Sequence, residues 1–346
     1  MARRRRYSRK KKKSGVVGVL FGFLLAVLCL GAVCGWLVLM PYGPQTETFV
    51  DLAPGSSTFL IGAQLEAAGV IRSRYAFDLM RFLKHGTLHA GEYRFTRPVS
   101  VTEVYSRIAH GDVYTRVLVI PEGANLFDIA ERVEQVGLGS RQQFLDAARS
   151  QTSLIADLDP SATSLEGYLF PATYSFRHNT PATQVVAVMV RRFRQVAAQI
   201  GLTQNFHRTV TMASLVERET AVDADRSLVA SVFENRLAKK MPLQTDPSVI
   251  YGLQREDRWN GQLRSNELAY DTPYNTYRHT GLTPGPIASP GLPSLRAALA
   301  PAHTGYYYFV AASVDAHGRS LFAATLDEHN HNVAGYRREL RKAGLR

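Results

Sequence analysis

The sequence predicts an α+β protein with a single N-terminal transmembrane helix, a small α+β subdomain and a larger mixed α+β domain. Three observations predict this organisation. An uncharged run of 27 residues, Ser14 to Met40, lies close to the N-terminus. In the rest of the chain, segments with apolar residues at helical spacing are interspersed with short strand-like segments. At 346 residues and 45% hydrophobic content, the chain is long enough for an anchor and two packed domains.

The positive charge of the chain is concentrated in residues 1–13. Nine Lys and Arg side chains lie there, and without them the net charge falls from +12 to +3. Beside an uncharged span, attraction to anionic lipid headgroups explains such a tail. A nucleic-acid patch is the alternative that we weigh and do not favour. The sequence therefore predicts membrane lipids, and no nucleic acid, as partners of a basic cytoplasmic tail.

The apolar run 14–40 is long enough to cross a bilayer, which takes about 20 helical residues. A cleaved signal peptide is the alternative, but its apolar region is about 7–15 residues long and precedes a small-x-small site. Here the run is longer and ends in Trp36, Leu39 and Met40. We expect a retained single-pass anchor in the cell inner membrane, with the residues after about 41 outside the cytoplasm. Both cysteines lie in the span, so no disulfide or thiol chemistry is expected outside it.

Residues 41–47 are predicted to be a linker and residues 48–114 a small α+β unit. Ser100 and Glu103 have the spacing of a capping box at the start of a helix that stops at Gly111. No cluster of catalytic residue types occurs here, which favours a binding or spacing role. The other predicted elements are a strand and turn at 49–57, helices at 59–71 and 73–86, and a strand at 90–95.

Residues 115–346 are predicted to form the larger unit. Asn125 and Ser140 are the expected N-caps of two helices, and the long helix before Gly201 is apolar enough to belong in a core. The segment 270–291 contains too many prolines and glycines for a helix or a central strand. Its interleaved rings favour a carbohydrate-stacking surface, with a linker as the alternative.

Two carboxylates, Glu217 and Glu219, lie in a helical pattern that is otherwise apolar and precedes a polar loop at 243–248. On a helical wheel, Glu219 lies roughly 60° and Glu217 roughly 100° from the middle of the apolar arc. Glu219 is thus the better candidate for a desolvated general acid with a raised pKa. The alternative is a surface helix with three consecutive charged residues. The apolar arc consists of Val210, Met212, Ala213, Leu215 and Val216.

Other chemistry has weaker support in the sequence. His329-Asn330-His331 has the letters of an HNH nuclease without the surrounding hairpin. His303, His329 and His331 are predicted to serve in caps and loop hydrogen bonds and not as metal ligands. Phosphate-binding loops and nucleophile elbows are missing from the sequence. We therefore predict neither a metal nor a cofactor.

Six motifs occur in order: MASLVERET, SVFENRL, LQTDPSVIYG, TPYNTYRHTGLTPGPIASPG, YYYFVA and DEHN. With AGEYRF, IPEG and EGYLFP, they make the chain from about residue 48 onward resemble the MltG (YceG-like) family of endolytic murein transglycosylases. Glu234 before Asn235 and the KKMP segment before the polar loop depart from the commonest family pattern. Neither departure involves the expected acid.

The resemblance implies a single-pass inner-membrane enzyme with a LysM-like subdomain at 48–114 and a catalytic domain at 115–346. Such enzymes cleave nascent glycan strands between MurNAc and GlcNAc and leave a 1,6-anhydroMurNAc end. In the family motif that corresponds to MASLVERET, the second glutamate is the catalytic one. In this chain that residue is Glu219. The family works alongside glycan polymerases, so a penicillin-binding protein is an expected partner besides the glycan strand.

Candidate glycan-binding residues are Gln244, Thr245, Asp246, Tyr251, Asn275 and Tyr277, with Glu166 and Glu217 as weaker candidates. Two alternatives stay open. A hydrolytic glycosidase would need a second carboxylate to activate water, for which Asp246 or Glu166 is available. A wall-binding scaffold without enzymatic activity would leave Glu219 as a core carboxyl.

Overall fold

The computed structural model describes residues 13–344 except 314, 316 and 317. The predicted basic tail therefore lies outside the described residues, apart from Lys13. The chain divides into two compact units, one up to Thr115 and one from Arg116 onward. The mixture of helices and short strands confirms the predicted α+β class.

From residue 13 onward, where the structure describes it, the first unit contains four helices and two strands. Its elements are α1 (Lys13–Leu39), β1 (Thr48–Leu52), α2 (Thr58–Ala67), α3 (Arg74–Lys84), β2 (Gly91–Phe95) and α4 (Val101–His110). Strands β1 and β2 pair antiparallel, with Thr48 opposite Phe95. In α1, residues 18–39 are apolar and long enough to cross a membrane. The C-terminal end of α1 packs into this unit, because Val38 is part of its buried core.

The caps of α4 explain both of its ends. The Ser100 hydroxyl accepts a hydrogen bond from the Glu103 amide (3.2 Å), and Gly111 ends the helix in the left-handed conformation with φ 72°. The Glu103 carboxylate, however, pairs with Arg97 at 3.5 Å. Only one half of the predicted capping box therefore forms.

The second unit contains the remaining elements. They are β3 (Arg116–Val119), α5 (Leu126–Gln135), α6 (Arg141–Ser150), β4 (Thr173–Phe176), α7 (Ala182–Gln199), α8 (Phe206–Glu219), α9 (Asp223–Ala238), α10 (Asp246–Arg255), α11 (Leu292–Leu299), β5 (Tyr308–Ala311), β6 (Ser320–Ala323) and α12 (Leu326–Lys342). Strands β3 and β4 form one antiparallel pair and β5 and β6 another. Asn125 and Ser140 cap α5 and α6 with complete capping boxes, as predicted.

Helices α7 and α8 supply much of the core in this unit. Val186, Met189 and Phe193 of α7 are buried, and the apolar arc predicted for α8 is buried throughout. The segment 270–291 contains no helix or strand, as expected, but it packs closely against α8. The Ile287 amide donates to the Ser214 hydroxyl at 3.0 Å. Since much of the segment is buried, it is part of the folded unit and not a linker.

Candidate active site

The last turn of α8 places Glu219 on the floor of a cleft of about 320 Å³. Glu219 is half-buried, because protein surrounds its carboxyl group while the cleft keeps a path to solvent. The helix ends here, since Thr220 is extended with φ −142°. The other residues that line the cleft are Phe233, Arg236, Leu243, Gln244, Asp246, Tyr277, Phe309 and His329.

The environment of Glu219 favours the protonated form of its carboxyl group. Burial and, to a smaller extent, the Asp246 carboxylate together raise the pKa of Glu219 to about 7, while Arg236 and Arg218 oppose the shift. Within the described part of the chain, no hydrogen bond reaches this carboxyl group. An acid held in this way keeps its proton near neutral pH and has no protein partner to give it to.

Asp246 and Tyr277 form the polar wall of the cleft. Asp246 is the first residue of α10, where Pro247 in the first turn favours helix initiation. The Tyr277 hydroxyl donates to Asp246 Oδ1 at 2.6 Å. Beside them, Gln244 adopts a left-handed backbone conformation with φ 54°, which is uncommon for a residue with a side chain. Three of the predicted glycan-binding residues therefore meet Glu219 in one cleft.

Three further candidates lie behind the wall of the cleft. Asn275 is fully buried, and its amide nitrogen donates to the carbonyl oxygens of Leu268 and Tyr270. The Thr245 amide donates to the Thr276 hydroxyl (2.9 Å), and the Tyr251 ring packs against Tyr274. The structure thus places Thr245, Tyr251 and Asn275 where they shape the loops that carry Gln244 and Tyr277.

The carboxylate of Glu217, unlike that of Glu219, is held by partners from other parts of the fold. Its carboxylate pairs with Arg226 at 3.0 Å and accepts a hydrogen bond from the Gly291 amide at 2.8 Å. The two side chains are only 5% and 4% exposed. Glu217 therefore joins α8 to α9 and to the start of α11. It does not line the cleft that contains Asp246 and Tyr277, but together with Glu219 it lines a second pocket of about 430 Å³.

Glu166 lies in a different pocket, of about 440 Å³. The Leu126 amide donates to its Oε2 at 3.0 Å, while its Oε1 is buried without a partner. Burial raises the pKa of Glu166 to about 7, although hydrogen bonds from the Leu126 amide and the Tyr251 hydroxyl oppose the shift. Glu166 is thus a second protonated acid in this unit, outside the cleft that holds Glu219.

Arg236 and His329 are cleft residues that the sequence reasoning did not select. Arg236 donates to the carbonyl oxygens of Tyr307 (2.7 Å) and Leu243 (2.8 Å), so it fixes β5 to the polar loop. The His329 ring stacks on Tyr308 at 5.2 Å, and its Nδ1 is buried without a partner. Burial and the nearby Arg236 lower the pKa of His329.

The expectation that His329 serves a cap or a loop hydrogen bond is wrong for Nδ1. The capping box of α12 is made by Thr325 and Glu328, which lie just before it in the sequence. The DEHN motif was a signal for a functional role of His329, but its place opposite Glu219 depends on the packing of α12. Among the described residues, no group of three His, Cys, Asp or Glu side chains could hold a metal ion.

Comparison with known proteins defines the class. The model of the YceG-like family matches residues 50–335, so this chain belongs to that family, as the motifs predicted. It is 35% identical over 310 residues to an endolytic murein transglycosylase of Bacillus subtilis (strain 168), covering 83% of this chain and 84% of the relative. It is 30% identical over 360 residues to an endolytic murein transglycosylase of Streptococcus pneumoniae, covering 91% and 64%.

A solved structure gives the same assignment. The crystal structure of a YceG-like protein from Listeria monocytogenes matches with a TM-score of 0.54 and 32% sequence identity. The match covers 83% of this chain and 99% of that protein. The fold of the chain is therefore that of a YceG-like protein.

Proposed function

We propose that this chain is a membrane-anchored peptidoglycan lytic transglycosylase. It cleaves the bond between MurNAc and GlcNAc within nascent glycan strands and leaves 1,6-anhydroMurNAc ends. The names of the B. subtilis and S. pneumoniae relatives support this reaction. The observation that carries the proposal is the carboxyl group of Glu219, which lies in a cleft, unpaired within the described chain, with a pKa raised to about 7 by burial.

In this mechanism Glu219 acts twice. Protonated Glu219 donates its proton to the glycosidic oxygen, the bond from C1 to that oxygen breaks, and positive charge develops at C1. The resulting carboxylate then takes the proton of the MurNAc C6 hydroxyl, whose oxygen attacks C1. The nucleophile belongs to the substrate, so the reaction needs neither water nor a second catalytic carboxylate. Its fixed position next to C1 supplies a high effective concentration.

The other cleft residues support this chemistry through charge and position. The Asp246 carboxylate keeps the proton on Glu219 before bond cleavage and then stabilises the positive charge at C1. Its hydrogen bond from Tyr277 holds it in place. Gln244 and His329 offer hydrogen-bonding groups to the sugar rings on either side.

The remaining parts of the chain deliver the site to its substrate. Residues 1–13 are a cytoplasmic tail on anionic lipids, residues 14–40 span the inner membrane and residues 41–47 are a linker. Residues 48–114 form a LysM-like subdomain that binds the wall, and residues 115–346 form the catalytic domain outside the cytoplasm. The burial of Val38 supports a retained helix, because cleavage of the anchor would remove part of a core. A tethered site of this kind suits a penicillin-binding protein as partner.

Product analysis tests the proposal. Full-length protein in lipid vesicles is incubated with nascent, uncross-linked glycan strands, and the new ends are identified by mass spectrometry. Anhydro ends are expected. Reducing ends would replace the proposal with a hydrolase, and strands that stay intact would favour a wall-binding scaffold.

The hydrolytic alternative has one specific observation in its favour. Asp246 lies in the same cleft as Glu219, where it could activate a water molecule. Glu166 is no longer a candidate for that role, because it lines the other pocket. A hydrolase would lose its reducing-end product when Asp246 is changed to Asn, whereas the transglycosylase reaction would continue.

A further inference from the structure

The pocket that contains Glu166 is connected to the Glu219 cleft by three elements of the same unit. Helix α8 carries His207 at the pocket and Glu219 at the cleft, 12 residues later, which corresponds to about 18 Å of helix. Helix α10 begins with Asp246 at the cleft and ends with Arg255 at the pocket, about 14 Å away. The segment 272–277 lines the pocket at its start and the cleft at its end. The pocket and the cleft are therefore about 14 to 18 Å apart along these elements.

Two buried polar atoms in this pocket have no hydrogen-bond partner. They are Glu166 Oε1 and Thr272 Oγ1. The two residues are 3% and 1% exposed. Both residues line the pocket. Buried polar groups are nearly always hydrogen-bonded, and those that are not point to water or a ligand. A ligand with hydroxyl and amide groups would satisfy both atoms.

The charged side chains that line the pocket already have partners, which favours an uncharged ligand. Arg255 donates to the Tyr274 hydroxyl, and Glu256 accepts from the Tyr270 hydroxyl. The Asp159 carboxylate is already occupied, since it accepts hydrogen bonds from Ser161, Tyr168 and His207. Burial raises the pKa of Glu166 to about 7, so below that pH its carboxyl group is protonated and can also donate a hydrogen bond.

The apolar surface of the pocket comes from Pro273, Tyr274 and Pro286. Apolar faces interrupted by a few fixed polar groups are what a sugar ring with an acetamido group requires.

We propose that this pocket is a second glycan subsite, which holds an N-acetylhexosamine unit of the strand that Glu219 cleaves, with Glu166 and Thr272 hydrogen-bonded to its acetamido and hydroxyl groups. This inference rests on the proposed function, because it takes the glycan strand as the substrate. It adds a binding determinant at about 14 to 18 Å from the reacting bond. Affinity for long strands then depends on residues outside the cleft.

Gly285 offers a way to fill the pocket without removing a hydrogen bond. A Cβ atom at Gly285 would meet only Tyr274 Oη at 3.7 Å and His207 Cε1 at 3.9 Å, and both residues line the pocket. Gly285→Leu therefore places a side chain where the sugar is expected. Thr272→Val is the complementary change, since it keeps the shape and removes only the unpartnered hydroxyl. Gly305→Leu is the matched control, because a Cβ there has nothing within 4 Å and lies outside this pocket.

The test measures equilibrium binding of a peptide-free GlcNAc–MurNAc octasaccharide to the full chain with Glu219→Gln, which stops turnover. We expect Gly285→Leu to weaken binding at least tenfold, Thr272→Val to weaken it several-fold and Gly305→Leu to leave it unchanged. Free stem peptide should not compete. Unchanged affinity in both pocket variants, or displacement of the octasaccharide by stem peptide, would overturn the subsite.

The same variants with Glu219 intact distinguish a failure of the subsite proposal from a failure of the proposed function. If the wild type makes anhydro ends but Gly285→Leu and Thr272→Val have the wild-type KM for long strands, the subsite is wrong and the proposed function stands. If the wild type makes no anhydro ends, the proposed function itself fails. A raised KM with an unchanged kcat, together with a wild-type melting temperature, is the expected result.

Discussion

Glu217 and Glu219 are two residues apart in the last turn of α8, yet their carboxyl groups have opposite surroundings. Glu217 is held by the Arg226 guanidinium and the Gly291 amide. Glu219 has a cleft in front of it, a carboxylate nearby and no hydrogen bond from the described chain. The Glu217 carboxylate is therefore held in place by the fold, whereas the carboxyl group of Glu219 has no such partners in the described chain.

The difference between the two shows how one helix end can serve stability and chemistry together. At 100° per residue, a shift of two positions turns a side chain by about 200°, from one side of the helix to the other. The ion pair on one side fixes the helix end through α9 and α11. This anchoring positions Glu219 without any direct contact to its carboxyl group.

The largest expected effect is the loss of cleavage in Glu219→Gln. Removal of a general acid lowers the rate by about 10² to 10⁴-fold, and here the same group also serves as the base. Anhydro ends counted by mass spectrometry should therefore fall at least a hundredfold, while the melting temperature does not fall. Retained cleavage in a folded Glu219→Gln protein would remove Glu219 from its proposed role.

Glu217→Gln should have the opposite profile. It leaves the buried Arg226 charge with Asp223 as its ionic partner, whose side chain is 73% exposed. The loss of the buried pair should cost about 3 kcal/mol of unfolding free energy, the lower end of the range for a broken buried ion pair. Chemical denaturation measures this loss, and cleavage per folded molecule should stay within a few-fold of the wild type. The matched control is Glu234→Gln, which breaks the exposed pair with Arg208 and should cost less than about 1 kcal/mol. Equal losses in the two variants would contradict the structural role of Glu217.

The sequence singled out Glu219 by local helix geometry, but it did not predict that Glu217 is also buried, with a side chain that is only 5% exposed in its ion pair with Arg226. It could also predict the caps of α5 and α6, which are short-range patterns. The partners of Glu217 lie 9 and 74 positions away, and the motif that contains His329 gave no sign of the element it would pack against. Such contacts depend on tertiary packing, which no local pattern contains.

The placement of Asn275 and Glu166 shows the same limit. Both occur in motifs typical of the family, so both were predicted to contact glycan. Asn275 instead holds its own loop through two backbone hydrogen bonds, and Glu166 lines a separate pocket. A motif predicts that a residue matters, but its position in the fold decides how.

The pH dependence of cleavage tests the proposed role of the Glu219 proton. In the proposed mechanism Glu219 donates its proton in the first step, and its pKa is raised to about 7. We expect kcat/KM to fall about tenfold per pH unit above that value. Because the Asp246 charge contributes to the raised pKa, Asp246→Asn should move the decline to lower pH. A profile in Asp246→Asn that declines at the same or a higher pH would contradict the proposed coupling.

The smallest expected effect is on stability. The pKa of Glu219 is raised above its unfolded value of 4.5, so the native state binds this proton more tightly. Between pH 4.5 and about 7, unfolding would release the proton, and stability therefore falls as pH rises through this window. Glu219→Gln should remove a loss on the order of 3 kcal/mol at pH 8 and change little at pH 4. Denaturant titrations of both proteins at the two pH values measure this; Glu217→Gln should show no such gain.

The central claim is that the proton of Glu219 starts the cleavage and the substrate's own C6 hydroxyl completes it. Cleavage of nascent strands in water enriched in ¹⁸O tests this directly, with products analysed by mass spectrometry. The proposed mechanism predicts new MurNAc ends that lack the mass of one water and carry no ¹⁸O. New ends with one ¹⁸O atom at C1 would show that water is the nucleophile and would contradict it.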